Sequence, residues 1–515
     1  MAPIADKLYV VLIVSVLLSC VGAWIIAHQY RRRMQQLMRA PGPVEAVAFA
    51  ADAPPDVPPP LRVSFADNRH AGMRLNLLLV AMSCLIALSS SCIWWVLYFP
   101  GDPLSPRGVA VIALLHLWPM IPALALIWRW SLPNLFAALL LWFVATVAVL
   151  MWQLSLPRAL EWMRMEVASP LVLLCLVFLG NATRAIAPWL LMPAAVLVAS
   201  LVAGLDVLTC MAASESPLLK LPIAPLERLP GWSGVPVVFA VFLLLSGLVA
   251  WWPARMLGRA LGHAYSRRWL SDLSVVFTGV WAFALSDRLL RLLTTEGAAA
   301  LAMFLPLLLI PTVTLIALVG RRSRRAPTLL LLRVFQQDEQ ARSLFDHVVE
   351  RWRLTGNSVM IAGTDLADRT MDAADVFEFL DRRLAERFVV SRGDVARRIA
   401  AFDMAPDIDG RFRVNECYCH DKTWQDMLQA LVRDSDVVLM DLRGFQSHNA
   451  GCRYELTTLA QTPREIRVVV LTDSRTDLSA AQEAVGCGQR ARFTWVDASH
   501  FKPSKHREVL AQLCS

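Results

Sequence analysis

The chain has 515 residues, 56% of them apolar, and a mean hydropathy of +0.49, which is high for a water-soluble protein of this length and points to lipid before any motif is read. The formal charge of +8 belongs to residues 1–325, with 25 basic against 14 acidic side chains, while residues 326–515 hold 25 against 28. Basic loops beside apolar spans set membrane orientation, so this excess makes no case for nucleic acid, and the ten cysteines show no extracellular spacing framework.

The first apolar run, from about residue 8 to 27, is followed by Arg31, Arg32 and Arg33. The basic cluster comes after the run and no small-residue cleavage pattern is clear, so residues 1–30 read as a signal anchor with its N-terminus outside. Residues 31–72, rich in Pro, Ala and Asp over 41–66, read as a cytoplasmic linker. Further spans are expected at 75–98, 108–128, 133–153, 167–182, 187–209, 234–252, 269–290 and 298–319, which makes about nine within a membrane region ending at 325.

Placing the first cluster inside also puts Arg129, Arg184, Arg255, Arg259, Arg267, Arg268 and the cluster Arg321, Arg322, Arg324, Arg325 on that side. Arg288 and Arg291, near an outer end, are the exception. The expected location is a bacterial inner membrane, with the C-terminal domain in the cytoplasm. No internal repeat marks a carrier, and Asp206, Asp272 and Asp287 are the acidic residues to watch within apolar runs.

From residue 326 the pattern changes to branched apolar runs alternating with amphipathic segments. Strands are expected at 330–335, 358–362, 437–441, 466–471 and 493–496, with another at 412–417; helices at 339–353, 373–388, 422–433, 452–461, 478–484 and 505–513. Continuous apolar strands separated by helices imply a three-layer α/β domain over 326–515, doubly wound around a mostly parallel sheet. Ligands of such sheets sit beyond the carboxyl ends of the strands. Those positions hold Phe335, Gln337 and Asp338 after the first strand, Gly363 after the second, and Asp441, Arg443, Gly444 and Phe445 after the VVLM run.

Neither GxGxxG nor GxxxxGK[ST] occurs there, which argues against a dinucleotide fingerprint or a P-loop. Cys417, Cys419 and His420 match no strong zinc spacing and read as a core strand or a loop meeting the active site, so no metal site is assigned. Arg382, Arg383, Arg397 and Arg398 read as a solvated basic helix face.

The stretch DSDVVLMDLRGFQSHNAGCRYELTTLA, from Asp434, resembles the central part of a TIR (Toll/interleukin-1 receptor homology) domain, in which a strand, a Ser-containing loop and a helix opened by Trp-Cys-x-x-Glu-Leu follow one another. The matching residues are Ser447 in the loop and Gly451, Cys452, Arg453, Tyr454, Glu455 and Leu456 on the helix; Gly451 stands where many members have Trp, and an insertion-like region covers 387–420. The VVLMDLRGF run is also similar to nucleoside 2-deoxyribosyltransferases, whose sheet carries a comparable turn.

Both resemblances imply chemistry at an N-glycosidic bond. The first implies an NAD glycohydrolase with Glu455 as catalytic carboxylate, Tyr454 and Ser447 beside the ligand, NAD as substrate or ligand with no further cofactor, and self-association through the membrane helices or the domain, in an antiviral or stress role. A helix-first-turn Glu with a structural role is the competing reading. The rival functions are a non-catalytic module that recruits a partner or senses a nucleotide, and a transporter or channel with a regulatory domain.

Overall fold

The computed structural model describes residues 2–39, 59–152, 154–164, 166, 181–213, 234–310, 326–333, 343–362, 373–420, 423–486, 491–499 and 503–514. The chain separates into two compact units: Met1–Ala27, Val80–Val313 and Asp372–Ala374 form one, and His28–Leu79, Thr314–Met371 and Asp375–Ser515 form the other.

The first unit is helical. Among the described residues seven helical stretches are long and apolar enough to cross a membrane: Asp6–Leu37, Phe65–Tyr98, Pro106–Ile127, Leu132–Leu150, Thr183–Met211, Val237–Ser266 and Asp272–Leu308. This is a membrane protein. The span expected at 167–182 falls almost wholly outside the described residues. Those expected at 269–290 and 298–319 run together, because the Asp272–Glu296 helix passes directly into a 3-10 segment, Gly297–Leu308, while 311–319 lies outside the description.

Small residues let two of these helices approach closely. A Cβ at Gly204 would stand 1.8 Å from Ser246 Oγ, and Ser200 Oγ donates to the Ser246 carbonyl at 3.3 Å. Without a hydrophobic drive between helices in lipid, such packing and hydrogen bonding hold the Asn181–Ala213 and Gly234–Ser266 helices together. Asp206, on the first of them, pairs with Lys7 at 2.6 Å, both half exposed, and Asp272 is the first residue of its helix, so neither is a buried mid-helix acid.

The second unit is a seven-stranded sheet in the order β3-β4-β2-β1-β5-β6-β7, every pairing parallel. The strands are β1 (Thr328–Arg333), β2 (Asn357–Ile361), β3 (Phe388–Val389), β4 (Val414–Cys419), β5 (Val437–Asp441), β6 (Arg467–Thr472) and β7 (Phe493–Asp497). Leu329 to Leu332 and Val437 to Met440 are all buried, the mark of strands covered on both faces. Helices Ala373–Leu380, Gly393–Ala400, Trp424–Asp434, Ala450–Gln461, Leu478–Val485 and Pro503–Leu513 complete the α/β architecture.

The expected 373–388 helix is shorter. It ends at Leu380, Arg382 takes φ +62°, and a 3-10 turn, Leu384–Arg387, leads into β3, which pairs Phe388 with Tyr418 and Val389 with Cys419. Arg387 supplies the reason: its buried guanidinium pairs with Asp375 and Glu378, folding the chain back on the helix it has just left. Arg382 and Arg383 therefore follow one helix while Arg397 and Arg398 lie on another, not on a single basic face; Arg398 also donates to the Glu416 carbonyl at 2.6 Å and sits over the Phe402 ring. Cys417 and Cys419 are core residues of β4, the first of the two alternatives that the sequence leaves open.

Part of the segment before residue 80 belongs to this unit. Tyr30, fully buried, has its hydroxyl 3.3 Å from that of Tyr418 and its ring edge-on to Phe379. Asn68 donates to the Arg351 carbonyl and to Thr355 Oγ1, both at 2.8 Å. The Leu61 N–H donates at 2.9 Å to Asp436 Oδ1, whose partner oxygen takes the Thr328 N–H at 2.9 Å.

Candidate functional site

In the sheet order the chain leaves β1 toward β2 on one side and resumes with β5 on the other, so the strand order reverses between β1 and β5. A crevice at the carboxyl ends of these two strands is where such folds bind ligands. Phe335, Gln337, Asp338 and Gly363, expected on its β1 and β2 side, lie outside the described residues. The β5 side is fully described.

Asp441 ends β5, and Arg443 turns back upon it. Arg443 Nε reaches Asp441 Oδ1 at 2.8 Å and Nη2 reaches Oδ2 at 2.6 Å, a two-pronged pair in which the arginine is 1% and the aspartate 6% exposed. Both carboxylate oxygens are thus engaged within the turn. Gly444 follows with φ +76°, a conformation that suits glycine, and its N–H donates to Asp473 Oδ1 at 2.9 Å. Burial alone would raise Asp473, but the Gly444 N–H, the Thr476 hydroxyl and Arg475 outweigh it and hold the carboxylate below its ordinary range. Phe445 is buried in the core and locks the turn, its carbonyl accepting the Asp477 N–H at 2.9 Å; Ser447 is exposed.

Helix Ala450–Gln461 starts at Asn449, whose Oδ1 accepts the Gln446 N–H at 2.7 Å. Its inward face carries Cys452, Glu455, Leu456 and Leu459, the i, i+3, i+4, i+7 stripe of a helix packed on a core. Tyr454 points elsewhere, its ring edge-on to Trp424 and its hydroxyl accepting from Gln429 Nε2 at 3.0 Å.

Glu455 is therefore a carboxyl group in an apolar stripe. It is 8% exposed, and its Oε2 has no hydrogen-bond partner among the described residues. Burial pushes it from the ordinary 4.5 up to about 8, so in this state it carries a proton at neutral pH. One turn earlier Cys452 is pushed up to about 12 by burial and then by the negative charges of Glu455 and Asp441, which places those carboxylates in its neighbourhood. Such a thiol is inert as a nucleophile. A strongly perturbed acid on the helix that follows such a strand marks a functional candidate on physical grounds.

Asp436 and Asp473 escape sequence reasoning. Asp436 joins the Leu61 and Thr328 N–H groups and Arg464 Nη2, the last at 2.8 Å, at the opening end of β5; Asp473 organises the loop beside Gly444. The only advance signal is an acid flanking each apolar strand. Among the described residues no cluster of three or more His, Cys, Asp or Glu has a metal-holding arrangement. No family model matches the sequence, and no curated protein matches it at a significant level.

Proposed function

We propose that the α/β unit binds NAD or a related nucleotide at the carboxyl ends of β1 and β5 and breaks its N-glycosidic bond with the help of Glu455. The observation that carries this reading is the Glu455 carboxyl, buried in the apolar stripe of the helix that follows β5, with Oε2 lacking a partner among the described residues. An acid kept neutral by burial ionises when a cation is brought against it, as a pyridinium ribosyl group would be. The carboxylate then opposes the positive charge that develops at C1′ as the C1′–N bond breaks and its electron pair leaves with the pyridine nitrogen. Water bonds to C1′, and its proton returns to Glu455, restoring the starting acid.

The same proposal places the N-terminus outside and the α/β unit in the cytoplasm of a plasma membrane, with basic loops inside. It also includes self-association, through the membrane helices or the α/β unit, as the condition for activity. Nicotinamide release from NAD by the full-length protein in nanodiscs, beside Glu455→Gln and over a range of protein densities, tests it. Release that rises with density and vanishes in the variant is expected. Folded, clustered wild type that releases none refutes the catalytic reading.

A second reading, a non-catalytic nucleotide sensor or recruitment module, has its own support. Asp441 and Arg443 satisfy each other inside the turn rather than presenting their charges to a ligand. Binding of NAD without turnover would select it.

A further inference from the structure

The insertion-like region over 387–420 supplies one wall of a cavity of about 380 Å³ in the α/β unit. The cavity lies at the amino ends of β1 and β2, where Thr328 and Asn357 open their strands, and Leu431 lines it from the Trp424–Asp434 helix. The remaining wall is Phe402 to Pro406, the segment between the Gly393–Ala400 helix and β4. Met404 and Asp434, both in the lining, are exposed, so the cavity is open to solvent. A strand's length, about 17 Å, separates it from the crevice at the carboxyl ends.

Polar contacts from β4 and its approach hold that wall in place. The Asp403 N–H donates to Asn415 Oδ1 at 2.7 Å, and Asn415 Nδ2 donates to the Asp403 carbonyl at 3.0 Å. The buried Arg413 pairs with Asp407 at 2.7 Å and with Asp403 at 3.2 Å. The segment is therefore positioned before any ligand arrives, which removes an ordering cost from binding.

One polar group of the lining is open. Asn357 is 2% exposed; its N–H donates to the Pro327 carbonyl and its carbonyl accepts from Trp352 Nε1, both at 2.8 Å, so its backbone is fixed. Its side-chain Oδ1 has no hydrogen-bond partner among the described residues, and no other residue lining the cavity has a buried side-chain atom in that condition. Ser435 Oγ, for comparison, donates to the Leu431 carbonyl at 2.6 Å. A buried acceptor without a partner is costly, and a ligand that donates to it removes that cost. The charges alongside cancel: Asp434, the one charged residue of the lining, is met by Arg433 at 3.1 Å, and Asp436 by Arg464 at 2.8 Å.

We propose that this cavity is a ligand site separate from the nucleotide crevice, for a small uncharged organic molecule whose apolar body lies against Phe402, Ile399 and Leu431 and whose single N–H or O–H donates to Asn357 Oδ1. Its volume falls within the roughly 300–1,000 Å³ of small-molecule sites, and a mostly apolar wall with one convergent polar group is their usual chemistry. Water beside such walls is poorly held, so an apolar body that displaces it gains affinity. The open acceptor then sets orientation and selects for a donor.

The test is amide hydrogen exchange of the full-length protein at a fixed detergent concentration, with either indole or benzofuran, which has the same shape and no N–H. Indole is expected to slow exchange over residues 399–406, with benzofuran binding about tenfold more weakly. Asn357→Leu, which removes an acceptor that has no partner, should bind the two probes alike. Ala405→Phe, which fills the cavity from its wall, should bind neither. Should Asn357→Leu fail to fold, the two probes on wild type and Ala405→Phe decide. No protection of this segment by indole in folded wild type, or equal protection by both probes, overturns the proposal and leaves the cavity to water.

Discussion

Replacing Glu455 with Gln should stabilise the α/β unit at alkaline pH and do almost nothing at acid pH. The carboxyl titrates at about 8 in the folded unit against an ordinary 4.5, so its folded value is raised. A raised group is at no disadvantage below 4.5, where it is protonated folded and unfolded alike. Between 4.5 and 8 the unfolded chain releases the proton and the folded unit does not, so stability declines by about 1.4 kcal/mol for each pH unit. The full loss is about 5 kcal/mol, reached above pH 8 and reduced wherever water penetrates the stripe. Glutamine has the same shape and no charge, so it escapes that decline. At roughly 2–4 °C per kcal/mol for a domain of this size, the variant should gain on the order of 10 °C or more in unfolding midpoint at alkaline pH. Thermal unfolding followed by near-ultraviolet circular dichroism, for wild type and variant from pH 4 to 9, measures the difference. Parallel curves across that range would show that Glu455 ionises normally, and the reasoning would fail. A ligand that donates to Oε2 should narrow the gap.

Truncating Arg443 to Ala strips the buried Asp441 carboxylate of its partner and should cost about 3–5 kcal/mol, while Asp441→Asn with Arg443→Met in one chain should cost less, as a denaturant series would reveal. Asp436→Ala removes the acceptor shared by Leu61, Thr328 and Arg464 and should destabilise the unit by about 3 kcal/mol or more; it should also raise amide hydrogen exchange at Leu61 and Thr328, a local signature that global weakening alone would not give.

The parts of this fold that can be read from sequence are those with one dominant signal. β5 coincides with its expected 437–441 bounds because a strand covered on both faces must be apolar throughout, and β6 follows within a residue for the same reason. β3 cannot be read, since two residues carry no period, and its existence depends on an arginine folding back on Asp375 and Glu378. The stripe containing Glu455 is visible as a helix face, but a charged residue on such a face looks like an exposed position until its burial is seen. Arg288 stands as an exception to the orientation rule for a related reason: the rule counts arginines as loop residues, and only tertiary structure shows one buried and paired with Glu166 and a helix-end carbonyl.

The hydrogen bond from Leu61 to Asp436 has a consequence for how the protein is made. The two residues are 375 positions apart, so at roughly 5–20 residues per second the ribosome takes about 20–75 s to deliver the acceptor after the donor has emerged. Throughout that interval most of the membrane helices are synthesised while an early piece of the α/β unit waits without its partner strand. The unit therefore closes only late in translation, and a fragment started at Ala326 would be born without Tyr30, Leu61 and Asn68, leaving Asp436 and Tyr418 to find other company.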